Sequence, residues 1–293
     1  MGRNRTLLLI APAVLIIGVF MLIPMFIALS YSFLTANPYG GVLPPPTFDA
    51  YVQFLFQRDF DDSLVYSPSY IFIILRSVYL AIATTGICLA LGLPVAWYIV
   101  CQTEERRRFL LFVITLPFWI NTLIRTYCWI LILRDEGVAN DLLRYLSVIA
   151  QPLPLLYNDG SILLGLVYTF LPFMVLPIYA SLEKMDFRLV EAGFDLYATR
   201  GKVLRRIIIP LARPGIVAGC LLVFIPAIGA YVTPLILGGG KHLMIGALIA
   251  LQFGSSRNWP LGSAQALILM TGVLVALLFY VRSSTGKAQT LHG

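Results

Sequence analysis

The side chains able to do chemistry in this sequence gather in one polar island, Glu191 to Pro214 (EAGFDLYATRGKVLRRIIIPLARP). Counted from Glu183 to Arg213, the island carries seven basic groups (Lys184, Arg188, Arg200, Lys202, Arg205, Arg206, Arg213) against four acidic ones (Glu183, Asp186, Glu191, Asp195). Charges at that density need water around them. They do not form a catalytic set. His242 and His292 are the only histidines, and no Ser/His/Asp or metal-ligand cluster is visible. Recognition is the chemistry left. Asp186 can cap a first short helix running to about Ala198, Thr199 can cap a second, and Pro214 is expected to begin the next apolar span. In the first helix Leu189, Ala192, Gly193 and Leu196 recur at helical spacing, a small-residue stripe that a partner protein can approach closely. Residue by residue, an ordinary solvated loop is the competing reading.

The elements that must hold this island are apolar. With 59% hydrophobic and 12% charged residues and a mean hydropathy of +0.87, the 293-residue chain cannot cover a soluble globule with polar surface. A bilayer core about 30 Å thick takes about 20 helical residues, and irregular backbone cannot face lipid. Six runs qualify: approximately Leu7 to Leu34, Tyr70 to Val100, Phe109 to Leu133, Ser161 to Leu182, Gly215 to Leu237 and Ser263 to Val281. The first run follows Met1 to Thr6 and is too long for the apolar part of a cleaved signal, so an uncleaved first helix is expected. The predicted organisation is therefore a first helix with an outer loop over 1–69, a five-helix core over 70–281 that contains the polar loop 183–214, and a short polar tail over 282–293.

The net charge of +7 follows from the positive-inside rule and not from nucleic-acid binding. With the N-terminus inside, inner segments hold 14 of the 21 basic residues and outer segments five (Arg58, Arg134, Arg144, Lys241, Arg257). Both termini and the Glu191 loop are then expected in the cytoplasm. Asp49, Asp59, Asp61 and Asp62 fall in the outer loop with Pro44-Pro45-Pro46, where they are solvated, draw cations toward a pore mouth or meet an outer partner. Cys88, Cys101, Cys128 and Cys220 lie in or at the ends of spans, read as small core hydrophobes with no disulfide framework.

The island resembles the EAA loop of ABC importer permeases, whose pattern is Glu-Ala-Ala, three residues, Gly, nine residues, Ile, one residue, Leu-Pro. Glu191, Ala192, Ile207 and Pro210 keep that pattern, while Gly193 stands for the third alanine, Tyr197 for the glycine and Ile209 for the leucine. The resemblance implies an all-α integral membrane protein with six transmembrane helices and a cytoplasmic coupling-helix loop, the type I ABC importer permease fold. It implies docking of Glu191, Ala192, Gly193, Asp195, Leu196 and Tyr197 on a cytoplasmic ABC ATPase dimer. It also implies a second homologous permease subunit, a periplasmic or lipid-anchored substrate-binding protein, and residence in a bacterial inner membrane. ATP would be used by the partner ATPase, and no cofactor or metal is expected on this chain.

A second set of residues narrows the branch. Pro117-Phe118-Trp119, Asn121, Leu123-Ile124-Arg125 and Tyr127 resemble a helix of the spermidine/putrescine importer permeases. So do Gly165 to Tyr168, Leu171 to Tyr179, Ile207 to Leu211, Pro214 to Ile216, Ala218 to Leu222 and Asn258-Trp259-Pro260. Relatives that carry opines and other small solutes share parts of this set. A dedicated site for a polycation should offer carboxylates and aromatic faces, and since none of the 14 acids falls inside a span, only the aromatics are on offer there. Trp119, Asn121, Arg125, Tyr168 and Tyr231 are the pathway candidates, with Arg125 either structural or gating, or snorkelling to the outer interface. A self-contained secondary transporter is the rival from another class, although neither inverted repeats nor intramembrane ion pairs are evident. An integral membrane enzyme is a further one, against which the missing catalytic cluster weighs.

Overall fold

The computed structural model describes residues 3–58 and 64–289; Asp59, Asp61, Asp62 and His292 lie outside them. The described residues are mostly helical, with two small hairpins and short connecting loops. In order it forms α1 (Arg3–Tyr31), β1 (Leu34–Ala36), β2 (Val42–Pro46), α2 (Asp49–Val52), β3 (Phe56–Arg58), β4 (Leu64–Tyr66), α3 (Ser69–Val100), α4 (Glu104–Trp119), α5 (Thr122–Leu133) and α6 (Val138–Tyr145). There follow α7 (Asp159–Leu182), α8 (Arg188–Asp195), α9 (Arg200–Val203), a π-helical turn (Leu204–Ile208), α10 (Ile209–Ile228), α11 (Val232–Leu237), α12 (Ile245–Phe253) and α13 (Trp259–Gln289). Among the described residues five helices are long and apolar enough to cross a membrane, and α4 passes the same test only together with the segment Thr122–Tyr145, from which it is bent by 93°.

Two compact units are present, one made of residues 1–72 with 248–293 and the other of 73–247. In the first, α1 lies along α13, and Tyr31 stacks on Trp259 with ring centroids 6.1 Å apart. After α1 the chain folds back on itself: β1 pairs antiparallel with β2, and the Tyr51 hydroxyl donates to Ser32 Oγ at 3.0 Å. Asn258 Oδ1 accepts the Leu261 N–H at 3.2 Å and so caps α13, while Pro260 sits in the first turn where a missing N–H costs nothing.

In the second unit the core forms where α3, α7 and α10 meet. Cys88, Ala96 and Ile99 of α3, Met174, Ile178 and Leu182 of α7, and Ala212 and Val223 of α10 are buried together. The closest approach uses Gly215 and Gly219, four apart on α10. A Cβ on Gly215 would stand 2.3 Å from the Pro177 carbonyl, and one on Gly219 would stand 2.8 Å from Met174 Sδ. Small residues at this spacing let two membrane helices touch backbone to backbone, where lipid offers no hydrophobic drive for association.

Three sequence expectations change. The run Phe109 to Leu133 is not one helix, because the chain turns at Ile120 and Asn121. Pro214 does not begin a span: the helix runs on from Arg200 through the π turn to Ile228, with Pro214 inside it. The run to Leu237 is likewise broken after Ile228, and α11 is a separate short helix. Of the cysteines, Cys88 is a core residue, but Cys101 and Cys128 are exposed, one past the end of α3 and one on the outer side of α5.

Candidate functional site: the Glu191 loop and the broken span

The Glu191 loop is built as predicted at its start. Asp186 Oδ1 accepts the Arg188 N–H at 3.0 Å and opens α8. The end of α8 explains a departure from the family pattern. The Tyr197 N–H bonds to the Phe194 carbonyl at 2.9 Å and the Ala198 N–H to the Gly193 carbonyl at 3.1 Å. These are the two reversed bonds of a Schellman cap, and Tyr197 occupies its left-handed position with φ of +56°. Glycine is the residue that takes this conformation freely, whereas a side chain there costs roughly 1–2 kcal/mol. Tyr197 thus keeps the turn at some strain. Gly201 lies inside α9 and does not replace it as the flexible residue.

The packing of α8 sorts the expected docking residues. Val190 and Gly193 are buried, while Glu191, Ala192, Asp195, Leu196 and Tyr197 are exposed. Gly193, expected on the docking face, points instead into the loop. A Cβ there would lie 2.7 Å from Ile207 Cδ1 and 3.4 Å from Val203 Cγ2. The third position of the pattern therefore packs on the isoleucine of the same pattern, which gives their fixed separation a physical reason. On the outside, Phe194, Leu196 (82% exposed) and Tyr197 (96% exposed) form an apolar tip amid the charges.

The π turn also has a local cause. Ile209 N–H reaches back five residues to the Leu204 carbonyl, and Pro210 and Pro214 follow four apart, each lacking a donor and crowding the turn before it. No cap interrupts the helix there, so the wider turn absorbs the prolines.

At the broken span the outcome differs. Pro117 lies in the last turn of α4, and Asn121 then caps α5 by accepting the Leu123 N–H at 2.8 Å. Arg125 is 8% exposed; its Nη1 donates to the Pro117 carbonyl at 2.9 Å, and its guanidinium lies 5.6 Å from the Tyr168 ring centroid. Arg125 thus satisfies a carbonyl that the broken helix leaves open.

A cavity of about 540 Å³ opens beside the break, lined by Asn121, Thr122, Thr169, Phe170, Tyr231 and Thr233 among others. Of the pathway candidates, only Asn121 and Tyr231 meet there. Tyr168 faces a separate cavity of about 410 Å³ with Trp129, whose ring it meets edge-on at 5.6 Å. Trp119 is 80% exposed on the outer surface. Thr169 is not legible as a lining residue from the sequence, because a threonine within an apolar helix has no signal of its facing. Likewise unforeseen is the grouping of Arg76, Asp159 and His242: Arg76 Nε donates to Asp159 Oδ1 at 3.0 Å, and His242 Nδ1 stands 3.3 Å from the same oxygen. These residues are 83 positions or more apart, and only the fold joins them.

Comparison with known proteins places this geometry. Residues 65–284 match the family model described as binding-protein-dependent transport system inner membrane component. A spermidine/putrescine transport system permease protein PotB of Salmonella typhimurium is 40% identical over 265 residues, covering 90% of this chain and 88% of that protein. The PotB of Escherichia coli K12 is 39% identical over 90% of this chain and 92% of its own length. In structure, the chain resembles a bacterial ABC transporter involved in the import of the acidic polysaccharide alginate, with a TM-score of 0.68, 18% identity and 96% of each chain covered. A polar loop capped and packed as above, five or six candidate membrane spans and these likenesses lead to one conclusion: the chain belongs to the family of binding-protein-dependent transport system inner membrane components and has the fold of an ABC importer permease.

Proposed function

We propose that this chain is the permease subunit that carries a polyamine, spermidine or putrescine, across the bacterial inner membrane in an ATP-driven importer. The observation that carries the reading is the Glu191 loop: its inner face is locked on Val203 and Ile207, and its outer face offers Glu191, Ala192, Asp195 and the apolar tip Leu196 and Tyr197. An apolar tip in water is a docking surface awaiting a partner. The partner is a cytoplasmic ATPase, one of a pair, whose closure on ATP draws the loop and turns the permease from inward-facing to outward-facing. A second permease subunit and a periplasmic or lipid-anchored binding protein complete the assembly. Both termini lie in the cytoplasm with the loop, consistent with the basic residues on that side. The chain itself holds no cofactor; ATP is bound and used by the ATPase.

The polyamine follows from the 39–40% identity with permeases named for spermidine and putrescine. The cavity fits transit more than storage. Its polar lining, Asn121, Thr122, Thr169, Tyr231 and Thr233, is neutral, so a cation meets acceptors and a ring face without a carboxylate to trap it. The same neutrality favours a second reading, import of another small solute such as an opine.

The test is ATP hydrolysis by the chain reconstituted with its partner permease, ATPase and binding protein, the last loaded in turn with spermidine, putrescine and an opine. Stimulation by a polyamine alone is expected. Stimulation by the opine alone would transfer the proposal to that solute, and failure of any ATPase to assemble would return the chain to the secondary-transporter class.

A further inference from the structure

Two charges in the second unit sit at helix ends of the wrong sign. Arg107 lies in the first turn of α4, where the helix dipole disfavours a cation, and Glu183 closes α7, where it disfavours an anion. Each is held there by other contacts. Arg107 Nη2 turns back to donate to the Val100 carbonyl at 2.9 Å, capping α3, and its Nη1 stands 3.8 Å from Glu183 Oε1. The Tyr179 hydroxyl donates to that same oxygen at 2.5 Å. Arg107 Nη2 also reaches the Gln102 carbonyl at 3.4 Å, and Arg107 Nε is enclosed without a hydrogen-bond partner, so the guanidinium keeps donors free for another arrangement.

The position of this cluster matters because Glu183 is the first residue of the polar loop and Arg107 stands near the start of a rod. From Arg107 to Trp119 α4 is unbroken, about 18 Å at helical rise. Its far end is the Pro117 carbonyl held by Arg125, beside Asn121 and the cavity. Side chains along the rod, Leu110, Leu111 and Ile114, pack on the core cluster that includes Val190 and Val203 of the loop.

We propose that Arg107 is a positioning residue through which movement of the Glu191 loop is delivered to the broken span: pulling on Glu183 pulls the start of α4, and the rod carries the displacement to the break at Asn121. This rests on the importer reading above. Sparse charge contacts of this kind are weak alone, but a coupling contact needs only to bias two arrangements.

The test compares uptake of spermidine with ATP hydrolysis in the same proteoliposomes. Arg107→Ala and Glu183→Gln are each expected to lower solute moved per ATP about five-fold, the lower end of typical coupling effects, with hydrolysis stimulated by the binding protein kept within about two-fold. Arg107→Lys, which keeps charge but cannot span Val100 and Glu183 together, should fall between. The double variant Arg107→Ala with Glu183→Gln should be no worse than either alone. Parallel loss of uptake and hydrolysis, or single effects that multiply in the double variant, would overturn the proposal. If the native chain shows no stimulated hydrolysis, the importer reading fails first, and hydrogen exchange on the purified chain then decides the latch. Glu183→Gln should speed exchange at 117–123 as well as at 100–107; a change confined to 100–107 means Arg107 only caps α3.

Discussion

Prolines interrupt two stretches of this protein with opposite results. After Pro117 the helix breaks and the chain turns by 93°. Across Pro210 and Pro214 the helix continues, widened to a π turn. The difference lies in what surrounds the missing hydrogen bond. At the first site Asn121 caps a new helix and Arg125 takes the Pro117 carbonyl. At the second no capping side chain follows, and Gly215 and Gly219 hold the helix against α7. Proline removes a donor in both places; the neighbouring partners decide whether the result is a bend or a bulge.

Substitutions at either proline site have distinct expected outcomes. The largest effect is expected for Gly215→Leu, which drives a side chain into the Pro177 carbonyl and separates α10 from α7. A loss of about 3 kcal/mol or more, seen as a large fall in the thermal midpoint in detergent, is expected, since overpacking against backbone cannot relax cheaply. Next comes Arg125→Met, which keeps bulk but leaves the Pro117 carbonyl unpaired, for about 1–3 kcal/mol. Unchanged stability would mean the bend holds without the arginine. Smallest is Asn121→Ala, about 1 kcal/mol for a lost cap. It should appear as faster hydrogen exchange in the first turn of α5, with α10 unaffected.

The same contrast shows what was readable from the residues. Pro117 and Asn121 were both in view, yet the run Phe109 to Leu133 read as one span, because hydropathy averages over a bend and a cap residue in an apolar run looks like a polar helix position. Gly193 and Ala192 looked alike on a helical stripe; only the position of Ile207 turns one inward and leaves the other outside. Arg107 stands in a run of three arginines, and nothing in the triplet Arg106 to Arg108 distinguishes the one that reaches Glu183.

That this chain lives in a membrane, which of its runs are apolar enough to cross one, and where along the chain its polar loop lies were all legible in the residues alone. Those follow from composition, from runs of about 20 apolar residues and from charge, which are properties of the chain alone. Its register of Glu191, Ala192, Ile207 and Pro210 also carried the family. The packing of the helices is what brings Arg125 to Pro117, Gly193 to Ile207 and Arg107 to Glu183, and sets Asn121 and Tyr231 on one cavity. A contact across distant positions depends on how helices are packed and rotated. That is set by close approaches such as Gly215 on Pro177, and not by any local spacing.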